Sequence, residues 1–355
     1  MGHRTRPKET WTPGPSWIRS LRRGLLAFFD RHRRDLPWRR TRDPYRVWVS
    51  EIMLQQTRVD TVTPFYERWL ERFPTVEALA RAEPDDVLHV WQGLGYYTRA
   101  RNLQRAAQSV YAERNGRLPR SAEELRKLPG IGAYSAGAIA SIAFGQREPA
   151  IDGNATRVYA RLFDLEAATP VTLLARVRPL VPRDRPGEFN QAVMELGSTI
   201  CKPKKPRCTE CPVARLCRAY ARGHPEAPGR RKRPARVPAF DVATAVVLDV
   251  NGRVLMTRRP ERGLLARLWE FPGAQPHAGE SLSDAARRAA RPHCDTLRLQ
   301  GGSALGAVPH VFSHRRETYH VFRFQVAASR DWIDPAELDR LAVPAAQRRI
   351  ARLFL

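Results

Sequence analysis

The residues best equipped for chemistry are four cysteines, a glycine-bearing turn and two carboxylates. Cys201, Cys208, Cys211 and Cys217 form C-x6-C-x2-C-x5-C and account for four of the five cysteines in the chain. Cysteines so few for the length, and so bunched, do not make a disulfide framework; they read as metal ligands. Four thiolates from one compact loop suit iron or zinc, and spacing alone does not choose between them. A zinc ribbon usually presents two close C-x2-C pairs, and here there is one. Cys294 lies far from the group and reads as a free cysteine. In Leu128-Pro-Gly-Ile-Gly-Ala-Tyr-Ser-Ala-Gly137, Gly130 and Gly132 allow a tight turn whose following helix would offer free amides to a phosphate. The carboxylates are Glu51, in Val49-Ser-Glu-Ile-Met-Leu-Gln-Gln-Thr57, and Asp152, in Ile151-Asp-Gly-Asn-Ala-Thr-Arg-Val158. Taken alone, Glu51 is a solvated helix carboxylate and Asp152 a helix cap.

The elements that must position these residues follow from patterning. The chain has 355 residues, enough for two domains, and 43% hydrophobic residues, enough for real cores. Residues 1–20 read as a basic tail without the apolar stretch of a signal peptide. Residues 21–220 read as helical: Leu21, Leu25, Phe28 and Phe29 keep helical spacing, and Pro44 opens a second helix capped by Asp43. Further helices are predicted at 61–72, 75–80, 84–91, 98–114, 121–128 and 133–144, with Ser121 and Glu124 as a capping box. Residues 221–239, rich in Pro, Gly, Arg and Lys, read as a linker. Beyond it, residues 240–355 read as an α+β domain. A hairpin is predicted at Ala243–Val250 and Arg253–Arg258 around Asn251-Gly252, with a helix over Ser281–Ala290 and a strand over Thr318–Val326. The net charge of +25 is that of a protein with a polyanionic partner, most simply nucleic acid. The basic runs are Arg31–Arg34, Arg39–Arg42, Lys202–Arg207 and Arg230–Arg236. No run approaches the roughly 18 apolar residues of a membrane-spanning helix, so a cytoplasmic, nucleoid-associated protein without membrane contact is expected.

The cysteine spacing and the Leu-Pro-Gly-Ile-Gly turn together resemble the endonuclease III superfamily of helix–hairpin–helix DNA glycosylases. The resemblance covers nearly all of residues 21–220. It implies a [4Fe–4S] cluster on Cys201, Cys208, Cys211 and Cys217, held in a loop (201–217) whose Lys202, Lys204, Lys205 and Arg207 face DNA phosphates. It implies that the hairpin, with Gly130 and Gly132, grips the backbone without reading sequence. It makes Asp152 the catalytic aspartate and Asn154 a residue orienting groups beside it. Lyases of the superfamily carry a lysine two residues after the second hairpin glycine; here that position is Tyr134, which cannot form a Schiff base, so a monofunctional glycosylase is expected. Glu51 with its Gln-Gln-Thr flank, Leu36-Pro-Trp-Arg39 ahead of it and Trp91-Gln-Gly-Leu-Gly-Tyr-Tyr97 resemble the adenine DNA glycosylase (MutY) branch.

That branch implies removal of adenine opposite 8-oxoguanine or guanine in duplex DNA, by a monomer. Protonating N7 makes adenine a better leaving group while the sugar turns cationic, which calls for one protonated and one ionised carboxyl. Glu51 is then the general acid and Asp152 the ionised stabiliser, their pKa values pushed apart. Tyr134 donates a hydrogen bond near the pair, Arg39 contacts the extruded base, and Gln56 and Tyr96 wedge into the stack. Residues 240–355 resemble the Nudix-like C-terminal domain of the same enzymes. Trp269-Glu-Phe-Pro-Gly273 and Gly279-Glu280 begin a Nudix box, but Asp284–Arg291 lacks the paired glutamates that would hold Mg²⁺. His310-Val-Phe-Ser-His314 resembles the loop that recognises 8-oxoguanine, with Phe312, Ser313 and His314 as the reading residues. The competing expectations are an endonuclease III-like pyrimidine-lesion glycosylase/lyase, a non-catalytic iron–sulfur DNA-binding protein and a Nudix hydrolase.

Overall fold

The computed structural model describes residues 11–227, 237–294, 299–327 and 332–355. The first ten residues of the expected basic tail, and the Arg230–Arg236 run of the linker, lie outside the described residues. The helices are α1 (Pro15–His32), α2 (Pro44–Met53), α3 (Val59–Arg72), α4 (Val76–Arg81), α5 (Pro84–Val90), α6 (Thr98–Arg114), α7 (Ala122–Leu125), α8 (Ala133–Ile142), α9 (Gly153–Phe163), α10 (Pro170–Val177), α11 (Pro186–Thr199), α12 (Arg218–Ala221), α13 (Leu282–Ala290) and α14 (Ala345–Ala351). The strands are β1 (Ala239–Leu248), β2 (Thr257–Arg258), β3 (Trp269–Glu270), β4 (Gly273–Ala274), β5 (Gln300–Val311) and β6 (Arg316–Gln325).

The chain forms two compact units. The first holds the described residues up to Leu70, Thr75–Glu77 and those from Arg105 to Ala227. Its helix starts are locally written. Asp43 accepts from the amide of Arg46 at 2.8 Å and Ser121 from that of Glu124 at 3.2 Å, each satisfying an amide that the first turn leaves without a partner. Helix α1 begins at Pro15, several residues ahead of the apolar spacing, because the fixed φ of proline suits the first helical turn. Leu21, Leu25, Phe28 and Phe29 of α1 pack with Val158, Leu162, Phe189, Val193 and Leu196 into one core. Two glycines let neighbouring segments meet closely. A Cβ on Gly137 of α8 would lie 2.1 Å from the carbonyl oxygen of Pro149, and one on Gly197 of α11 would lie 2.7 Å from Cβ of Asn154.

The second unit holds Glu71–Pro74, Ala78–Gln104 and the described residues from Val237 onward. Its four-stranded sheet runs β4-β1-β6-β5, with β1 parallel to β6 and the other pairs antiparallel. Alternation along β1 sends Ala243, Ala245 and Val247 to the face covered by Ala285, Ala286 and Ala290 of α13, and Val246 and Leu248 to the face that meets Val321 and Ile350. The expected hairpin at Asn251-Gly252 forms its turn, but its second arm does not run as a strand. Val254 bridges Leu248 and Ile333, and the chain then leaves to pair Thr257 with Glu270. Within this unit Gln92 donates to the carbonyl of Val343 at 2.6 Å and accepts from Arg348 at 2.8 Å, which fixes the segment ahead of Tyr96.

Candidate active site

Glu51 lies on α2 and Tyr134 on the first turn of α8, directly after the hairpin. Gly130 has a φ of 79°, which a side chain would strain, and Gly132 caps α8 in extended conformation. This turn delivers the Tyr134 hydroxyl to Oε2 of Glu51 at 2.6 Å. Gln55 Nε2, in the turn after α2, donates to Ser135 Oγ of α8 at 3.0 Å. Glu51 is 5% exposed. Burial pushes its carboxyl up to about 7; the nearby Asp152 carboxylate adds to the rise, while the Tyr134 hydrogen bond and the Arg39 charge oppose it. A carboxyl poised near neutrality is a competent proton donor.

Asp152 caps α9: one carboxylate oxygen accepts from the Ala155 amide at 2.6 Å, the other from Asn154 Nδ2 at 3.0 Å. Capping and placement beside Glu51 therefore coexist in one side chain. Burial raises its pKa as well, against hydrogen bonds from Ala155 and Asn154 and the charge of Arg157. The sequence reading expects only Glu51 to rise; in the fold both carboxyls rise, because both are buried. What separates them is the number of donors, since Asp152 is met by amides of both backbone and side chain and Glu51 by one phenol.

Arg39, expected to contact the extruded base, is held by three partners. Its Nη2 pairs with Glu195 Oε2 at 2.7 Å, its Nη1 donates to the carbonyl of Arg34 at 3.1 Å, and its guanidinium lies 5.2 Å from the Phe29 ring centre. Arg34 takes the other oxygen of Glu195 at 2.7 Å. Glu195 is fully buried; burial raises its pKa, but the hydrogen bonds and charges of the two arginines outweigh that and hold it below the usual range. Sequence reasoning missed Glu195. The available signal was a carboxylate in the otherwise apolar run Ala192–Leu196.

Gln56 is exposed and has a φ of 59°. Tyr96, in the second unit, is 45% exposed with a φ of 49°. Both wedge candidates thus occupy the left-handed region, where a side chain costs energy. Tyr97 points the other way and is buried. Phe312 is half-buried and Ser313 and His314 are exposed at the turn joining β5 to β6, also in the second unit.

The cysteine loop leaves the end of α11. Arg161 of α9 donates to Cys201 Sγ at 3.2 Å and to the carbonyls of Lys202 and Pro203, and Arg157 donates to the Cys201 carbonyl at 2.8 Å. Among the described residues no three His, Cys, Asp or Glu side chains gather closely enough to hold a single metal ion. The four sulfurs are nonetheless neighbours. Burial, helped by the nearby Cys201, Cys217 and Cys208, raises the Cys211 thiol to about 12. Four thiols on one loop, with the Arg161 guanidinium on one sulfur, suit an anionic group held by thiolates. Lys202, Lys204, Lys205 and Arg207 are exposed on the same loop. In the second unit, Glu280 of the Nudix-like segment forms a two-point ion pair with Arg288 of α13, both contacts 2.8 Å, and this pulls its carboxyl down to about 2.

A hairpin opening a helix, with a tyrosine on a buried carboxyl and a second carboxyl capping the next helix, is the architecture of a base-excision glycosylase. Residues 49–183 match the HhH-GPD superfamily of base excision DNA repair proteins, and residues 243–353 match the NUDIX domain. A thermostable thymine-DNA glycosylase of known structure superposes with a TM-score of 0.55 at 29% identity, over 58% of this chain and 98% of that one. The adenine DNA glycosylase of Mus musculus is 38% identical, covering 95% of this chain and 78% of its own length; that of Homo sapiens is 37% identical over 95% and 74%. The chain belongs to the adenine DNA glycosylase family. Proteins of this superfamily generally carry a [4Fe–4S] cluster. Among the described residues no helix is long and apolar enough to cross a membrane.

Proposed function

We propose that this protein hydrolyses the N-glycosidic bond of adenine mispaired in duplex DNA, preferring 8-oxoguanine as the opposite base over guanine, without lyase activity. The observation that carries this reading is the Tyr134 hydroxyl on the buried Glu51 carboxyl, at the place where a lyase needs an amine. Gln56 and Tyr96 fill the stack as adenine leaves the helix. Protonated Glu51 gives its proton to N7, the bond between N9 and the sugar breaks with its electron pair going to the base, and ionised Asp152 stabilises the cationic sugar until water adds to it and gives its proton back to the Glu51 carboxylate. Asn154, bonded to Asp152, keeps the carboxylate facing the sugar. Arg39, held by Glu195, lines the pocket and keeps its positive charge near Glu51. Gly130 and Gly132 bring the hairpin amides to the phosphates.

Residues 21–220 then serve as the glycosylase domain, 240–355 as the lesion-recognition domain and 221–239 as a linker; of the expected basic tail at 1–20, Pro15–Ser20 belong instead to α1, and Ala78–Gln104 group with the second unit. Cys201, Cys208, Cys211 and Cys217 would hold a [4Fe–4S] cluster, which gives the loop its shape and stands apart from bond breaking. Phe312, Ser313 and His314 would meet the base opposite the adenine. A soluble monomer working at the nucleoid fits the net charge of +25.

The test is strand scission, after alkali, of a duplex holding A:8-oxoguanine, with C:8-oxoguanine and thymine glycol as controls. Cutting confined to the adenine strand of the first duplex is expected. Cutting at thymine glycol, or covalent trapping of the protein on DNA by borohydride, would instead establish the lyase reading. Iron and sulfide each near four per chain, lost in Cys208→Ala, are expected for the cluster.

A further inference from the structure

The turn Phe312–Arg315 is short, and its Ser313 and His314 are exposed. An exposed turn loses affinity to its own conformational freedom unless something fixes it beforehand. Here the fixing groups form a continuous chain from the sheet. Tyr319 is 7% exposed and packs with Val246, Val321 and Ile350 in the core of the second unit. Its hydroxyl donates to one oxygen of Glu317, which is 5% exposed. The other oxygen of Glu317 pairs with Nη2 of Arg315 at 2.5 Å. The guanidinium of Arg315 lies over the ring of Phe312, 5.5 Å from its centre. Tyr319 and Glu317 share one face of β6 because they are two residues apart. The turn closes on itself through the Phe312 amide, which donates to the Arg315 carbonyl at 2.8 Å.

The opposite strand grips the same ring. His310 meets Phe312 edge-on with centres 4.4 Å apart. Arg349 of α14 donates to the Pro309 carbonyl at 2.6 Å and reaches Nδ1 of His310 at 3.3 Å. Stability alone does not call for this arrangement. A buried carboxylate must be desolvated, and an apolar side chain in its place would commonly serve the fold as well. Nε of Arg315 is also buried without a hydrogen-bond partner, a further cost of holding the guanidinium there. What the polar chain supplies, and an apolar patch would not, is a single direction for the Arg315 plane and so for the Phe312 ring.

We propose that Arg315, Glu317 and Tyr319 are positioning residues for lesion preference: they brace Phe312 so that the Phe312–His314 turn is already set to meet the base opposite the excised adenine. This rests on the reading of that turn given under Proposed function. The brace touches neither Glu51 nor Asp152, so its loss acts on recognition of 8-oxoguanine and leaves bond breaking alone.

The experiment compares single-turnover adenine release by the full chain on A:8-oxoguanine and A:G duplexes, over a range of protein concentration. The variants are Arg315→Met, Arg315→Lys, Glu317→Gln and Tyr319→Phe, with Ser313→Ala/His314→Ala as the reference for the turn itself. Arg315→Met and Glu317→Gln are expected to weaken half-saturation on A:8-oxoguanine by about tenfold, with its maximal rate and all A:G values unchanged. Tyr319→Phe removes one oxygen and keeps the core filled, so it gives a smaller shift in the same direction even if Glu317→Gln folds poorly. Arg315→Lys keeps the ion pair without the flat stack and restores part of the loss. If the Ser313/His314 variant loses preference and all brace variants keep it, the brace is wrong and the reading of the turn stands. If the Ser313/His314 variant keeps its preference, the reading of the turn falls and the brace with it. Equal losses on both duplexes overturn the brace, since they mark a residue that serves the fold.

Discussion

Glu51 and the Phe312–His314 turn are held by opposite means. Glu51 sits inside the first unit, its carboxyl sealed among helices and touched by one hydroxyl from Tyr134. Its chemistry comes from exclusion of water, which drives the proton onto the carboxyl. The turn stands exposed in the second unit, where water is not excluded. There, precision has to come from mechanical support: a ring fixed between His310 and Arg315. The contrast separates two demands on a repair glycosylase. Breaking the bond needs an unusual electrostatic environment, and choosing the lesion needs a surface already in shape.

The sharpest break of that comparison is Glu51→Gln. It keeps the volume and removes the proton, so single-turnover adenine release should fall by roughly a thousandfold or more. Duplex binding, measured by fluorescence anisotropy, should hold. Near-normal turnover would remove Glu51 from the acid role.

The same substitution bears on stability, with the opposite sign. The Glu51 carboxyl lies near 7 in the fold against an ordinary value of 4.5. A raised pKa means that the folded chain holds the proton more tightly. Its contribution is therefore fully present below about 4.5 and lost as pH rises through about 7. Glutamine has no proton to lose. Glu51→Gln should be more stable than the parent at pH 8 by about 3 kcal/mol, with little difference at pH 4.5. Urea midpoints at the two pH values check this; equal midpoint differences at both would show that burial does not raise the carboxyl.

On the other side of the comparison, Ser313→Ala/His314→Ala should lower the preference for A:8-oxoguanine over A:G by roughly ten- to fiftyfold and leave release from A:G measurable. Unchanged discrimination would return the turn to an ordinary hairpin tip.

How far the two regions can be read without coordinates also differs. The carboxylate pair comes with local signals: Asp43 and Ser121 cap their helices, and the Gly130 turn sets Tyr134 a fixed step into α8. These act over three or four residues, so the sequence displays them. Glu195 does not show itself, because its partners Arg34 and Arg39 are more than 150 residues away and only the fold brings them together. Gly197 is similar: its need for closeness to Asn154 is tertiary. In the second unit, β5 is nearly invisible in the sequence. It is an edge strand, mostly exposed, broken by Gly301, Gly302, Gly306 and Pro309, so it has neither alternation nor apolar density. The Glu317–Tyr319 brace is hidden for another reason. Two polar residues spaced by two look like the solvent face of a strand, and only burial reveals that they point inward.

The finest test concerns the single hydroxyl that links hairpin and acid. Tyr134 lowers the Glu51 pKa by donating to the carboxylate, while burial raises it by more. Tyr134→Phe removes the lowering contribution and leaves burial in place, so the pKa should move further up. The acid form then survives to higher pH. In single-turnover rates from pH 5 to 9, the alkaline fall that begins near 7 in the parent should begin later in the variant, whatever happens to the plateau. One unit of displacement is a tenfold difference on the falling limb, so the gain at pH 8, relative to each plateau, should be under about tenfold. A midpoint that moves down would mean that the phenol stabilises the protonated carboxyl, and the electrostatic division between Glu51 and Asp152 would have to be redrawn with Tyr134 as a partner of the acid form.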